Sequence, residues 1–230
     1  MTEHLTGGGF IVDLTILSKE QLEVLKILKK LLLSNKSFYL AGGTGLALVL
    51  GHRKSVDFDI FSKEEFSSFK IADELKKYFT VNQISVAEIK TDTLIVFLKK
   101  VQTAFFHYNY PLIRPLLSKN GIQIASIEDI SAMKLISIVQ RGLKKDFIDL
   151  WTIIKESEYS LNDIFSFCKN KYGSSFSESV TLKALNYFKD AEEEDTPEGE
   201  KYHYSWSEIK KDLITLSTEY LNQQLKRHKE

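Results

Sequence analysis

Apolar residues first recur at helical spacing. Leu22, Leu25, Leu28 and Leu32 follow Ser18-Lys19-Glu20-Gln21, a pattern in which a serine and the residue three positions on cap each other's backbone amides. A helix is predicted from there, ending near Ser34-Asn35. Phe38-Tyr39-Leu40-Ala41 then reads as a short buried strand broken by Gly42-Gly43. Thr44 is placed to cap a second helix that runs through Leu50 and stops at Gly51. The next strand is predicted from Val56 to Phe61. Ser62 with Glu65 is the expected cap of a third helix, with Phe66, Phe69, Ala72 and Leu75 on its apolar side. Between Thr80 and Tyr110 the period shortens to two, and the run from Thr93 to Leu98 is strongly β-prone. Lys90-Thr91-Asp92 and the stretch from Lys99 to Gln102 read as hairpin turns, so this section is an antiparallel meander added to the first two strands.

Beyond Gly121 the pattern is helical. Ser126-Ile127-Glu128-Asp129 opens a helix through Gln140, Lys144 to Lys155 forms another, and others cover about 161–171, 177–189 and 206–224. The acidic stretch from Ala191 to Gly199 reads as an exposed loop. Tyr202, His203, Tyr204 and Trp206 after it are a candidate partner or RNA surface. The remaining phenylalanines and tyrosines fall mostly at core spacing, which argues against a base-stacking platform. The fold class predicted is α+β: a mixed sheet with flanking helices over residues 1–121, then a helical C-terminal region over 122–230 packed on it.

Composition narrows the function. With 230 residues, 43% hydrophobic and 27% charged, the chain suits one globular domain or a domain with a helical extension. Its 31 basic and 31 acidic side chains cancel, so any polyanion site must be a local patch. The single cysteine, Cys168, excludes an internal disulfide and a cysteine-rich zinc site. No signal peptide and no run of about 18 apolar residues is present, so a soluble cytoplasmic protein without a membrane partner is expected. Gly7-Gly8-Gly9 reads as a loose loop, since no helix pattern follows it.

The chemistry concentrates between Leu40 and Phe61. Alternation along a strand sends Asp57 and Asp59 to one face, with Val56, Phe58 and Ile60 on the other. Two carboxylates with Cα atoms roughly 7 Å apart repel each other unless a cation joins them. A divalent ion such as Mg²⁺, or Mn²⁺, suits such oxygens together with substrate phosphates. A strand that ends in Gly42-Gly43 and turns at once into a helix lets a polyanion approach free N–H groups at the positive end of the helix dipole. Thr44 adds a hydroxyl to that cradle. The spacing matches neither the G-x-x-x-x-G-K-[ST] loop nor the dinucleotide fingerprint. The alternative for the aspartates is a solvated strand face paired with Arg53 and Lys54.

Gly-Gly-Thr, a helix, and Asp-x-Asp in the following strand resemble the polymerase-β-like nucleotidyltransferase superfamily. The wording "GGTGLALVLGHRKSVDFDIF" is similar to the AbiEii/AbiGii-type toxin nucleotidyltransferases, as are "SIEDISAMKLISIVQRGLKKDFIDLWTII" and "ALNYFKDAEEEDTP". The resemblance runs from about residue 37 to 212. It implies a nucleoside triphosphate (NTP) substrate and metal-dependent transfer of a nucleotidyl group to an acceptor hydroxyl. It further implies RNA, the 3′ end of tRNA, as acceptor, and a cognate antitoxin protein as partner in a toxin–antitoxin or phage-defence system.

On that basis Asp57 and Asp59 are the metal ligands, and Gly42, Gly43, Thr44, Arg53 and Ser55 face the nucleotide. Lys134 supports the leaving phosphates, with Arg141 and Lys145 beside it, and Asp146 orients Lys134 or acts as a base. The competing readings are a snorkelling Lys134, basic residues that suit a helix C-terminus, and an Asp146–Arg141 salt bridge. The third carboxylate that many enzymes of the superfamily carry on a later strand has no counterpart in "QTAFFHYNY", where His107 is a partial substitute. This motivates an alternative: a nucleotide- or antitoxin-binding protein that keeps the fold without chemistry.

Overall fold

The computed structural model describes residues 12–33, 37–119, 121–195 and 205–227. The Gly7-Gly8-Gly9 segment, the helix end expected at Ser34-Asn35, and Tyr202, His203 and Tyr204 lie outside the described residues. The chain divides into two compact units, Met1–Ser126 and Ile127–Glu230.

The first unit runs α1 (Lys19–Leu28), β1 (Phe38–Ala41), α2 (Gly42–Leu50), β2 (Phe58–Ser62), α3 (Ser68–Leu75), β3 (Ile84–Lys90), β4 (Thr93–Leu98), β5 (Val101–His107), β6 (Leu117–Lys119) and β7 (Ile122–Ile124). Ser18 and Gln21 form the expected reciprocal cap of α1. The strands make one seven-stranded sheet in the order β3-β4-β5-β2-β1-β7-β6. The meander β3-β4-β5 is antiparallel, yet β5 joins β2 in parallel, and β1 pairs antiparallel with β2 and parallel with β7. One face carries Leu40, Phe58, Ile60, Leu94, Val96 and Phe105, all without exposed surface. A Cβ on Gly45 of α2 would lie 3.6 Å from the Ile124 side chain, so α2 covers this face. The other face carries Ala41, Asp59 and Ala104 in one register row and Tyr39, Phe61 and Phe106 in the next.

Three local expectations are corrected. Strand β2 starts at Phe58, and Val56 is 69% exposed. The carbonyl of Asp57 is taken by the Thr44 hydroxyl before any strand neighbour reaches it. Helix α3 is capped by Ser67, because Ser62 is still in β2 and its hydroxyl bonds the backbone of Glu64; Phe69 is therefore exposed. Residues 122–124, read as helical territory, form β7 instead. That pairing with β1 keeps the first unit continuous beyond residue 121.

The β4–β5 turn consists of Lys99 and Lys100, with φ of 49° and 71°. Left-handed backbone is disfavoured for side chains with a Cβ, and two-residue hairpin turns normally use Asn and Gly there. Lys99 pairs with Glu23, while Lys100 has only the strain. Lys100→Gly is expected to stabilise the protein by about 0.5–1 kcal/mol, a rise of a few degrees in thermal midpoint. A lowered midpoint would contradict this reading.

The second unit is helical: α4 (Ile127–Gln140), α5 (Lys144–Glu156), α6 (Leu161–Tyr172), α7 (Glu178–Leu185), α8 (Lys189–Glu192) and α9 (Trp206–Arg227). Its core includes Ile130, Leu135, Phe147, Trp151, Phe165 and Cys168. The helix expected over 177–189 stops at Leu185, where the Asn186 amide turns back to donate to the Leu182 carbonyl. Helix α8 then occupies the start of the predicted acidic loop. Among the described residues no helix is long and apolar enough to cross a membrane.

Candidate active site

At the end of β1 the chain passes into α2 without a linker. The glycines expected to break the strand are the helix's first two residues, and the residue before them, Ala41, contributes no capping side chain. The amides of the first turn therefore have neither an intrahelical acceptor nor a side-chain cap from that position. Gly42 has φ of 62°, and a Cβ built on it would lie 2.2 Å from Asp59 Oδ2. The Asp59 carboxylate thus rests directly on the glycine backbone. A Cβ on Gly43 would lie 2.6 Å from a guanidinium nitrogen of Arg53 and 3.1 Å from Ser55 Oγ. Arg53 is 4% exposed and donates from Nη1 to the Lys54 carbonyl at 2.8 Å. A Cβ at Gly42 would meet the carboxylate on a left-handed backbone, and one at Gly43 would push the guanidinium aside.

The loop from Gly51 to Asp57 is fastened by side chains. The hydroxyls of Thr44 and Ser55 lie 2.8 Å apart, and that of Thr44 also reaches the Asp57 carbonyl. A hydroxyl has one proton, so Thr44 donates to the carbonyl and accepts from Ser55. Thr44 was expected to cap α2 and to turn its hydroxyl to a phosphate cradle; it is instead the third helical residue, and its proton goes to the Asp57 carbonyl. Gln21 Nε2, from α1, donates to the Ser55 carbonyl at 2.7 Å. Nothing in the sequence spacing signals that contact.

Asp57 and Asp59 are half-buried, while Phe58 between them is fully buried. The alternation predicted for this segment is present from Asp57 onward. Opposite Asp59 on β5 stands Ala104. Glu88 shares that register row, but three strands away, roughly 14 Å at normal strand spacing. His107 faces the hairpin end, with Nδ1 3.9 Å from Asp92. Among the described residues no cluster of three or more His, Cys, Asp or Glu side chains is arranged to hold a metal. Two carboxylates leave further coordination positions to water and substrate oxygens, which is how Mg²⁺ is ordinarily held at phosphate sites, so the donor set fits that ion.

In the second unit a buried charge cluster fastens α4 to α5. Lys134 Nζ lies 3.0 Å from Asp146 Oδ1 and 2.6 Å from Asp149 Oδ2, and neither carboxylate has exposed surface. Arg141 binds Asp146 with two bonds, Nε to Oδ2 at 2.8 Å and Nη2 to Oδ1 at 3.0 Å, while its side chain is 50% exposed. Burial pushes the Asp146 carboxyl upward, but the Arg141 bonds and the Lys134 charge outweigh it and hold it below the usual range. Lys134 is thus enclosed by two carboxylates, and Arg141 shows the cluster's positive charge to solvent. Asp149 ends the Lys-Asp-x-x-Asp stretch that begins at Lys145, and its spacing from Asp146 puts both on one helix face.

Lys144 and Lys145 open α5, as the helix predicted from Lys144 implies, so the reading that they suit a helix C-terminus fails and the helix dipole disfavours them. Lys144 is compensated by bonding the Glu194 carbonyl and lying 5.7 Å from the Trp206 ring centroid. Lys145 is half-buried in the same turn. A second buried ion pair, Lys171 to Asp129 at 2.6 Å, ties α6 to α4.

Comparison with known proteins decides the assignment. Residues 26–222 match the family described as nucleotidyl transferase AbiEii toxin, type IV toxin–antitoxin system. The chain belongs to the AbiEii nucleotidyltransferase toxin family. An uncharacterized protein of Aquifex aeolicus (strain VF5) is 39% identical over 209 residues, spanning 89% of this chain and 98% of that protein. Two solved structures share the fold at low identity. JHP933 of Helicobacter pylori has a TM-score of 0.55 at 18% identity, covering 95% of this chain and all of that one. MenT4, a nucleotidyltransferase toxin of Mycobacterium tuberculosis H37Rv, has a TM-score of 0.55 at 13% identity, covering 86% and 81%. The seven-stranded mixed sheet and the helices found here match the α+β nucleotidyltransferase fold expected from the sequence.

Gly42 offers a direct test of the site's geometry. Gly42→Ala must displace the Asp59 carboxylate and carries a left-handed penalty of about 1–2 kcal/mol. A carboxylate misplaced by about 1 Å lowers turnover by roughly a hundredfold. Nucleotidyl transfer should fall by that order in a protein that still melts cooperatively. Wild-type transfer by this variant would contradict the placement.

Proposed function

We propose that the chain transfers a nucleotidyl group from a nucleoside triphosphate to an acceptor hydroxyl on RNA, the 3′ end of tRNA, and acts as a toxin restrained by a cognate antitoxin protein. The observation that carries the reading is the contact between the Asp59 carboxylate and the first turn of α2, which Ala41 leaves without a capping side chain. Two carboxylates beside an anion-binding turn suit a metal–triphosphate complex. In this reading Asp57 and Asp59 hold Mg²⁺ (or Mn²⁺), which when bound supplies positive charge at the attacking and leaving oxygens. The amides of Gly42, Gly43 and Thr44 receive phosphate oxygens, and Arg53 adds its charge against Gly43. Ser55 and Thr44 keep Asp57 in register. The acceptor oxygen bonds the α-phosphorus, the bond to the bridging oxygen breaks, pyrophosphate departs, and the acceptor's proton leaves to water.

Arg141 and Lys145 are assigned to phosphate contacts on the second unit. Asp146 is held anionic by two cations, which makes it a weak base, so its role is to position Arg141 and Lys134.

Ala104 favours a second reading. It occupies the place opposite Asp59 on the neighbouring strand, where an added acid would stand, and a nucleotide- or antitoxin-binding protein without turnover needs none. Incubation with total RNA and each α-labelled triphosphate, beside calorimetry with Mg²⁺ and the same triphosphates, separates the two. The enzyme reading expects label in tRNA-sized RNA. Binding with no labelled product would favour the second.

A further inference from the structure

We propose that the aromatic side chains beside Asp59 form a stacking surface for a nucleobase. This inference rests on the nucleotidyl-transfer reading and names the part of the substrate that the same sheet face takes. On the buried face of β2 and β5, Phe58 and Phe105 have no exposed surface, as core residues should. On the Asp59 face of the same two strands, Phe61 and Phe106 keep part of theirs, as do Tyr108 and Tyr110 beyond β5.

These rings form a continuous series. Tyr39, 2% exposed, closes the buried end by stacking on Phe61 at 6.0 Å with 25° between planes, and Phe61 meets Phe106 at 5.6 Å and Tyr108 at 5.4 Å. Tyr110 continues the series 4.9 Å from Tyr108. Core spacing in the sequence concealed this, because period-two aromatics look alike whichever face they take.

Position supplies the occupant. Asp59 is opposite Ala41 at the α2 end of β1, and Phe61 is opposite Tyr39, one register row further from that helix. The anion-binding turn therefore lies on one side of Asp59 and the rings on the other. Phe61 is roughly 7 Å along the strand from Asp59, about the reach of a nucleoside whose phosphate is held at the carboxylate. Aromatic faces take any base by stacking, which suits a chain with no net charge to draw nucleic acid. The base belongs either to the triphosphate or to the acceptor's terminal nucleotide.

The test uses the full chain as wild type, Phe61→Leu, Phe106→Leu and Tyr110→Leu. Leucine keeps apolar bulk, and Tyr110 lies beyond the strand, so a folded variant is available for comparison. One arm titrates each Mg²⁺–nucleoside triphosphate against inorganic triphosphate. The other titrates a labelled single-stranded oligoribonucleotide against the same oligonucleotide with an abasic 3′ end. The leucine variants should weaken binding of base-bearing ligands by roughly tenfold and leave the base-free ligands unchanged. The arm that shows the loss identifies which base is held. Unchanged binding in both arms, or equal loss of base-free ligand, overturns the stacking surface while leaving transfer at Asp57 and Asp59 standing. A wild-type chain that binds no nucleotide and no RNA overturns both.

Discussion

Asp57→Asn and Asp59→Asn are each expected to lower nucleotidyl transfer by at least about a thousandfold, while the protein stays folded. The magnitude follows from what each side chain does in the proposed reaction. Removing a single preorganised electrostatic partner of a transition state costs about a hundredfold to a thousandfold, and a carboxylate that holds the metal is more central than one hydrogen-bond donor. Stability should change little, because both side chains are only half-buried and asparagine keeps their size and shape. Asp59→Asn is the more demanding of the two. An amide in contact with Gly42 keeps the shape of the carboxylate, so a loss of activity cannot be ascribed to a rearranged turn. Transfer at the wild-type rate by either variant would remove the role assigned to it.

Lys134→Met is expected to have the largest effect on stability, roughly 3–5 kcal/mol, read as a fall of about ten degrees in thermal midpoint. The substitution leaves Asp146 and Asp149, neither with exposed surface, facing a methyl group where an ammonium stood 3.0 Å and 2.6 Å away. Arg141 still binds Asp146, so the larger loss falls on Asp149, which stood 2.6 Å from the ammonium.

The pH dependence has a definite sign. Asp146 has its folded value held below the ordinary carboxylate value near 3.9. Its contribution is therefore complete above that unfolded value and is lost as pH falls toward the folded one. Urea midpoints of the wild type should fall on acidification below about pH 4, and the gap between wild type and Lys134→Met should narrow over the same range. A gap that widens on acidification would mean that the cluster is not the source of the difference. Buried ion pairs are weak contributors to net stability compared with apolar packing, so keeping four charged groups together here points to placement of the exposed Arg141 guanidinium.

Much of this architecture was legible from local pattern. Phe38–Ala41 was predicted as β1 with its observed bounds, and the reciprocal cap of Ser18 and Gln21 announced α1. Helices α4, α5 and α9 each begin within a residue of where apolar spacing put them. These features depend on neighbours three or four residues apart, or on alternation, both of which a sequence displays. What stayed hidden depends on distant partners. Strands β6 and β7 have three residues each, too short for any period to show, and β7 exists because β1 offers it an edge. Ser62 resembles a helix cap until β2 claims it, and Ser67 takes its place.

The Asp-x-Asp pair and the two glycines were visible as residue types. That Gly42 is shaped to Asp59 and Gly43 to Arg53 is a matter of contact across the fold. The hydroxyl of Thr44 was expected toward a ligand, yet it goes to the loop that positions Asp57, because a buried carbonyl there needed a donor.

The account stands on a paired carboxylate that works with an anion-binding turn to move a nucleotidyl group, and the position of the label in the substrate tests it most directly. Wild-type protein and Asp59→Asn should be given RNA with triphosphate labelled either at the α- or at the γ-phosphorus. The prediction is label on RNA from the α-position only, γ-label released as pyrophosphate, and neither with Asp59→Asn. Transfer of γ-label, or α-label transfer that survives in Asp59→Asn, would contradict it.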